Sequence, residues 1–270
     1  MHWKDTGDPN MPLVIHTVPA FQDNYLWLFH QVGERAAFVV DPGDAQPILE
    51  CLREHDLDLA GILVTHHHPD HTGGIKTLLA HNKVPVYGPD SANIPQISHR
   101  LYEGDCITLA DTIFSVLEIP GHTLDHIAYT AAPETQSPLV FCGDTLFTAG
   151  CGRIFEGSAE QMYQSLQKLA ALPDATRIYC AHEYTLSNLA FATAVEPNSQ
   201  ALQDKTKADE NKRQQGLPTV PSTLAVERET NPFLRCHLPT LALAASQHSA
   251  RQLSEPIEVM REIRLWKDSF

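Results

Sequence analysis

Short apolar runs separated by turn residues fill the first two-thirds of the chain. Residues 25–29 and 37–40 predict paired strands, the second ending at Asp41-Pro42-Gly43-Asp44. Residues 47–54 predict a short helix. A compact apolar strand follows over 61–65, then a helix over 73–81 and a strand over 84–87. Residues 106–109 and 113–118 predict a second strand pair, and 139–142 a buried strand. Met162, Leu166, Leu169 and Ala170 recur at helical spacing, so 159–171 predicts a helix with Glu160 near its start. One more strand covers 177–180. Beyond His182 strand signals become sparse. Residues 199–215 are polar and charged and predict a solvated helix face plus a loop. Residues 217–221 hold two prolines and predict a connector; 241–246 and 256–266 predict helices. The expected layout is a flexible lead-in over 1–10, a mixed α/β domain over 11–182 and a helical domain over 183–270.

Length and composition fit this layout. A chain of 270 residues with 43% hydrophobic and 19% charged residues is globular and long enough for a substantial core. No apolar run approaches the roughly 20 residues of a membrane-spanning helix. The start, Met1-His2-Trp3-Lys4-Asp5, lacks the apolar stretch of a secretion signal, and Met11 is an alternative start. The expected setting is cytoplasmic. Six cysteines without a C-x-x-C pair read as reduced thiols there. A net charge of −14 excludes nucleic acid and anionic membranes as expected partners, because their phosphates would be repelled. It also requires that an anionic substrate meet a local basic patch.

Histidine, with 15 residues, changes the picture most. The predicted strand over 61–65 runs into His66-x-His68-x-Asp70-His71. Alternation along an extended chain turns His66 and His68 to one side, and Asp70 and His71 then open the predicted helix. Imidazole and carboxylate donors of this kind suit zinc, iron or manganese. His67 alternates to the opposite face and is expected to pack or to hold a neighbour by hydrogen bonding. Three further donors each follow a predicted strand: His122 in Pro120-Gly121-His122-Thr123, Asp144 in Cys142-Gly143-Asp144-Thr145, and His182 in Ala181-His182-Glu183. A lone turn His or Asp is commonly a cap or surface group. Together with the first cluster these make five histidines and two aspartates, the count for two four-coordinate ions sharing one aspartate. Cys142 and Cys180 lie within strands and are expected to be packing residues, not nucleophiles.

These motifs resemble those of the metallo-β-lactamase superfamily and, more closely, of its glyoxalase II (hydroxyacylglutathione hydrolase) family. The closer likeness rests on Phe141-Cys142-Gly143-Asp144-Thr145-Leu146-Phe147, Ala149-Gly150-Cys151-Gly152-Arg153, Ala181-His182-Glu183-Tyr184-Thr185, Asn231-Pro232-Phe233-Leu234-Arg235 and Lys267-Asp268-Ser269-Phe270. The resemblance implies an αββα sandwich followed by a C-terminal helical domain. It implies that His66, His68 and His122 hold one metal, that Asp70, His71 and His182 hold the other, and that Asp144 bridges them. Asp70 and Asp144 are then the catalytic carboxylates. It further implies hydrolysis of S-D-lactoylglutathione with two divalent ions, zinc expected and iron or manganese admitted by the same donors; a monomer is expected. Arg153, Phe155, Tyr184, Arg264 and Lys267 are implied in holding the glutathione part. Phe155 stands where some members carry Tyr, and Arg153 where some carry Lys, so the hydroxyl that Tyr would bring is missing here. A lactonase or β-lactamase on the same fold would not need the helical tail with its basic ending. A mononuclear-iron persulfide dioxygenase would not need seven ligands, and a non-catalytic metal module would not need an open site.

Overall fold

The protein is described by a computed structural model covering residues 12–270. The lead-in expected over 1–10 lies outside the described residues. The chain forms two compact units. Unit one runs through Leu117 and takes in Ile127–Phe141; unit two comprises Glu118–His126 and Cys142–Phe270. Residue 182, where the strand pattern thins, lies within unit two.

Unit one begins with β1 (Leu13–Ala20), β2 (Asn24–Gln31), β3 (Ala36–Val40), α1 (Ala45–Glu54) and β4 (Asp58–Leu63). It continues with α2 (Pro69–Thr72), α3 (Ile75–His81), β5 (Val86–Pro89) and β6 (His99–Leu101). The six strands form one sheet in sequence order; β1, β2 and β3 are antiparallel, and β3 to β6 are parallel. Alternation explains the layers. Leu26 and Leu28 of β2 join Ile48 and Leu52 of α1 and Ile75 and Leu78 of α3 in one apolar cluster. Phe29 points the other way, onto Phe38, Phe114 and Phe141. Burial of side chains this size stabilises by about 1.5–3 kcal/mol each. Phe114 and Phe141 lie on a second sheet built from β7 (Cys106–Leu109), β8 (Thr112–Glu118), β9 (Ile127–Ala131) and β10 (Leu139–Gly143), in the order β10-β9-β8-β7. Helices, sheet and sheet thus stack within this unit.

The helix expected over 73–81 is α3, but Asp70 and His71 do not open it. Asp70 and His71 lie in the single turn of α2, and α3 starts only at Ile75. The cause is the Gly73-Gly74 pair. Gly74 N–H donates to the Pro42 carbonyl at 2.8 Å. A Cβ at Gly74 would stand 2.6 Å from both that oxygen and the Ala45 nitrogen. The chain passes so close to the loop before α1 that helical continuity is lost.

Unit two holds the short pair β11 (Leu146–Phe147) and β12 (Gly150–Cys151), then α4 (Ala159–Ala170), β13 (Arg177–Cys180), α5 (Thr185–Val195) and α6 (Gln200–Gln214). After these come β14 (Ser222–Thr223), α7 (Leu224–Thr230), α8 (Pro239–Ser249) and α9 (Pro256–Ser269). Helix α4 opens on a capping box in which Ser158 and Gln161 satisfy each other's backbone N–H groups. Residues 199–215 are almost entirely helix, with Ser199 as the cap. Buried Glu227 of α7 accepts from Ser222 Oγ (2.6 Å), Ala149 N (2.7 Å) and Asn231 Nδ2 (3.1 Å), and burial raises its pKa. Asn231 also donates to the carbonyls of Phe147 and Gly150. These bonds fix the β11–β12 turn that follows Asp144.

Candidate active site

In unit one, His66, His68, Asp70 and His71 come together beyond the end of β4. Thr65 and His66 already lie in a bend, so it is the bend and not strand alternation that brings His66 Nε2 to 3.1 Å from His68 Nδ1. His67 lies edge-on to His68, in keeping with a packing role. The organising residue is one that the motif did not reveal. Buried Asp41 accepts from Thr65 N and Thr65 Oγ1 at 2.7 Å and from His71 Nδ1 at 3.0 Å. That bond leaves the lone pair of His71 on Nε2, which faces Asp70 Oδ2 at 3.5 Å. Because the Thr65 hydroxyl proton is given to Asp41, its oxygen accepts from His66 Nδ1 at 3.0 Å. The lone pair of His66 is therefore also on Nε2. Asn24 Nδ2 donates to Asp70 Oδ2 at 3.0 Å and sets that carboxylate. Asp41 has a positive φ of 51° at the strand's end. An acidic residue before Pro42-Gly43 was the available signal, but its partners lie 24 and 30 residues away.

In unit two, one carboxylate oxygen lies between two rings. Asp144 Oδ2 is 3.4 Å from His122 Nε2 and 3.3 Å from His182 Nε2. His122 Nδ1 donates to the Arg153 carbonyl at 2.7 Å, so its lone pair also faces the carboxylate. Asp144 N–H donates to Nε2 of the buried His126 at 3.0 Å. His126 is a second positioning residue, one that no local motif marks. The Asp144 turn is tight: a Cβ at Gly152 would stand 1.9 Å from the Asp144 carbonyl oxygen. Imidazole nitrogens and carboxylate oxygens turned toward one another make a donor set that divalent cations bind, with the rings neutral when they do. The donor chemistry therefore fits divalent ions.

The residues expected to hold substrate gather in unit two. Tyr184 stacks flat on His182 at 4.7 Å between ring centroids. Exposed Phe155 meets His122 edge-on at 5.3 Å, with the Arg153 guanidinium 5.7 Å above it. Arg153 Nε and Arg264 Nη2 both approach Asp268 Oδ1, at 3.5 and 3.1 Å. Arg264 is buried, donates to the Cys151 carbonyl at 2.9 Å and lies over Phe233. Lys267 is bonded to Asn188 Oδ1; burial and then Arg264 pull its pKa down to about 8. Asp268 is the residue of this group that the sequence reading gave no role. The thiols offer no rival nucleophile: burial pushes Cys180 up to about 12 and Cys142 well above its ordinary value.

Residues 21–182 match the family model described as metallo-beta-lactamase superfamily, and residues 183–270 match that of the hydroxyacylglutathione hydrolase C-terminus. The chain belongs to the hydroxyacylglutathione hydrolase family. Its relatives include the hydroxyacylglutathione hydrolase of Nitrosomonas europaea, 50% identical over 258 residues, with 95% of this chain and 96% of that one covered. That of Albidiferax ferrireducens is 52% identical over 253 residues, covering 94% and 98%. Among solved structures, ETHE1 from Myxococcus xanthus superposes with a TM-score of 0.63 at 23% identity, covering 95% of this chain and 99% of its own. That likeness confirms the metallo-β-lactamase fold. In a hydroxyacylglutathione hydrolase of this fold, the histidine and aspartate donors point to a dinuclear metal site. No helix among the described residues is long and apolar enough to cross a membrane.

Proposed function

We propose that the protein hydrolyses S-D-lactoylglutathione and related 2-hydroxyacyl glutathione thioesters to glutathione and the free acid. The observation that carries this reading is the placement of Asp144 Oδ2 within 3.4 Å of both His122 Nε2 and His182 Nε2, as a bridging carboxylate requires. The proposed ligands are His66, His68 and His122 for one ion, Asp70, His71 and His182 for the other, and Asp144 for both. The proposed division of labour is a catalytic region over 11–182 and a substrate-holding region over 183–270, in a cytoplasmic monomer. Zinc is the proposed metal, supported by the imidazole-rich donor set. Ions so held lower the pKa of water toward neutrality and polarise a carbonyl.

The chain's own residues do the rest. Asp41, through Thr65 and His71, and the Arg153 carbonyl, through His122, hold the rings in the tautomer that a ligand needs. Tyr184 and Phe155 flank the His182 and His122 rings with apolar surface. Phe155 brings no hydroxyl and offers the thioester only apolar surface. Arg153, Arg264 and Lys267 supply positive charge for the glutathione carboxylates in a chain of net charge −14. In the hydrolysis, water's oxygen bonds to the carbonyl carbon, the carbon–sulfur bond breaks, and the thiolate takes the remaining proton. The test is Asp144→Ala, with metal per chain and lactoylglutathione turnover measured on the purified variant. Loss of paired metal and of turnover is expected; two ions per chain with normal turnover would overturn the assignment.

A further inference from the structure

A second group of side chains of metal-ligating type lies within unit one, none of them among the seven proposed ligands. His16 is on β1; Cys51 and His55 are one helical turn apart at the end of α1. One donor atom from each lies within 4.8 Å of the others. The ring centroids of His16 and His55 are 4.2 Å apart, and His30 of β2 stacks on His16 at 5.2 Å. We propose that His16, Cys51 and His55 form a separate binding site for a borderline-soft divalent transition-metal ion, zinc foremost.

Hydrogen bonding already selects the form of His16 that such a site needs. His30 Nδ1 donates to the carbonyls of Gln31 (2.9 Å) and Glu34 (3.2 Å), so its lone pair is on Nε2. That atom is 3.2 Å from His16 Nε2, which must therefore donate to it. The remaining nitrogen of His16, Nδ1, keeps its lone pair for a ligand. This is the arrangement by which a neighbour fixes the tautomer of a metal-binding histidine. Burial, then His55 and His30, lowers the pKa of His16, which keeps the ring neutral at pH 7. Metal–nitrogen and metal–sulfur bonds of about 2.0–2.3 Å place tetrahedral ligands roughly 3.5 Å apart. Rotation of the exposed His55 ring closes the remaining distance. The groove in front of the cluster is lined by Glu50 and Glu54, so a carboxylate or a water completes four-coordination. Burial and Glu54 raise the Cys51 thiol, so metal uptake here releases a proton and strengthens with pH.

The test uses the zinc-loaded holoenzyme titrated with cobalt(II). None of the ligands proposed for the paired site carries sulfur, so cobalt exchanged into it gives no sulfur-to-cobalt charge-transfer absorption. The expected result is one further ion per chain accompanied by that band. The band should vanish in Cys51→Ser and persist in Cys106→Ser, the control for the exposed thiol. His55→Ala should weaken cobalt binding at least tenfold, and thioester turnover should be unchanged in all three variants. No band at one added equivalent, a band surviving Cys51→Ser, or unaltered affinity in His55→Ala would each overturn the site.

Discussion

Asp41 touches no substrate, yet it sets two rings of the proposed metal centre. Its Oδ2 accepts from both Thr65 Oγ1 and His71 Nδ1. An amide in its place would present a donor to one of these and turn it away. Asp41→Asn should therefore lower metal affinity about 10–100-fold without unfolding the chain, as read by competition with a chromophoric chelator. An unchanged affinity would remove Asp41 from this role. Lys267 gives a different signature. Its folded pKa of about 8 lies below the ordinary 10.5. Between those values the unfolded chain binds the proton and the folded chain does not, so stability rises with pH across that window. Binding of an anionic substrate runs oppositely, because the ammonium is lost above about pH 8. The kcat/KM for glutathione thioesters should fall as pH passes that value, with kcat following less. Lys267→Met should lose the dependence; a wild-type profile flat from pH 7 to 9 would place Lys267 outside the substrate site.

At the scale of elements, the runs of alternating or unbroken apolar residues were legible. The 177–180 strand and the 159–171 helix match β13 and α4 to within a residue. The metal donors were legible too, because five of the seven lie just past strands whose apolar pattern is strong. Strand β1 escaped notice because His16 and Thr17 interrupt its apolar pattern. Helix α5 did so because apolar Leu186, Ala190 and Ala194 stand on its exposed face while polar Thr185 and Asn188 stand on its buried one, so burial and hydropathy do not share a stripe. Asp41, His126 and Asp268 owe their roles to residues far along the chain or to a turn, which no local pattern encodes. The break between α2 and α3 belongs to this scale as well. A methyl group at Gly74 would press on backbone atoms of Pro42 and Ala45, which cannot swing aside like a side chain. Gly74→Ala should cost about 1–3 kcal/mol, measured by denaturant unfolding, and should also reduce metal retention because α2 carries Asp70 and His71. A variant as stable as the parent would show that the loop yields freely.

For the molecule as a whole, the seven proposed ligands are spread from His66 to His182, so metal and fold are coupled. An ion that binds the folded chain and not the unfolded one adds RT ln(1 + [L]/Kd), about 4 kcal/mol at a thousandfold excess over Kd. For chains of this size 1 kcal/mol corresponds to roughly 2–4 °C in Tm. Chelation should therefore lower Tm by about 10 °C, and readdition of zinc should restore it. Acid should act by the same route: ligand imidazoles must be neutral, and free imidazole titrates near pH 6.5. Dialysis at about pH 4 should strip the metal before the fold is lost. The two treatments should also converge, since a chain stripped by acid and returned to neutral pH in chelator should melt where the chelated chain melts. The second cluster at His16, Cys51 and His55 adds a distinguishable increment, because Cys51→Ser should reduce the zinc-dependent gain in Tm while leaving turnover intact. A Tm that did not move when atomic absorption showed the metal gone would mean that the ligands are held in place by packing alone. The ions would then contribute to chemistry and not to the stability of the fold.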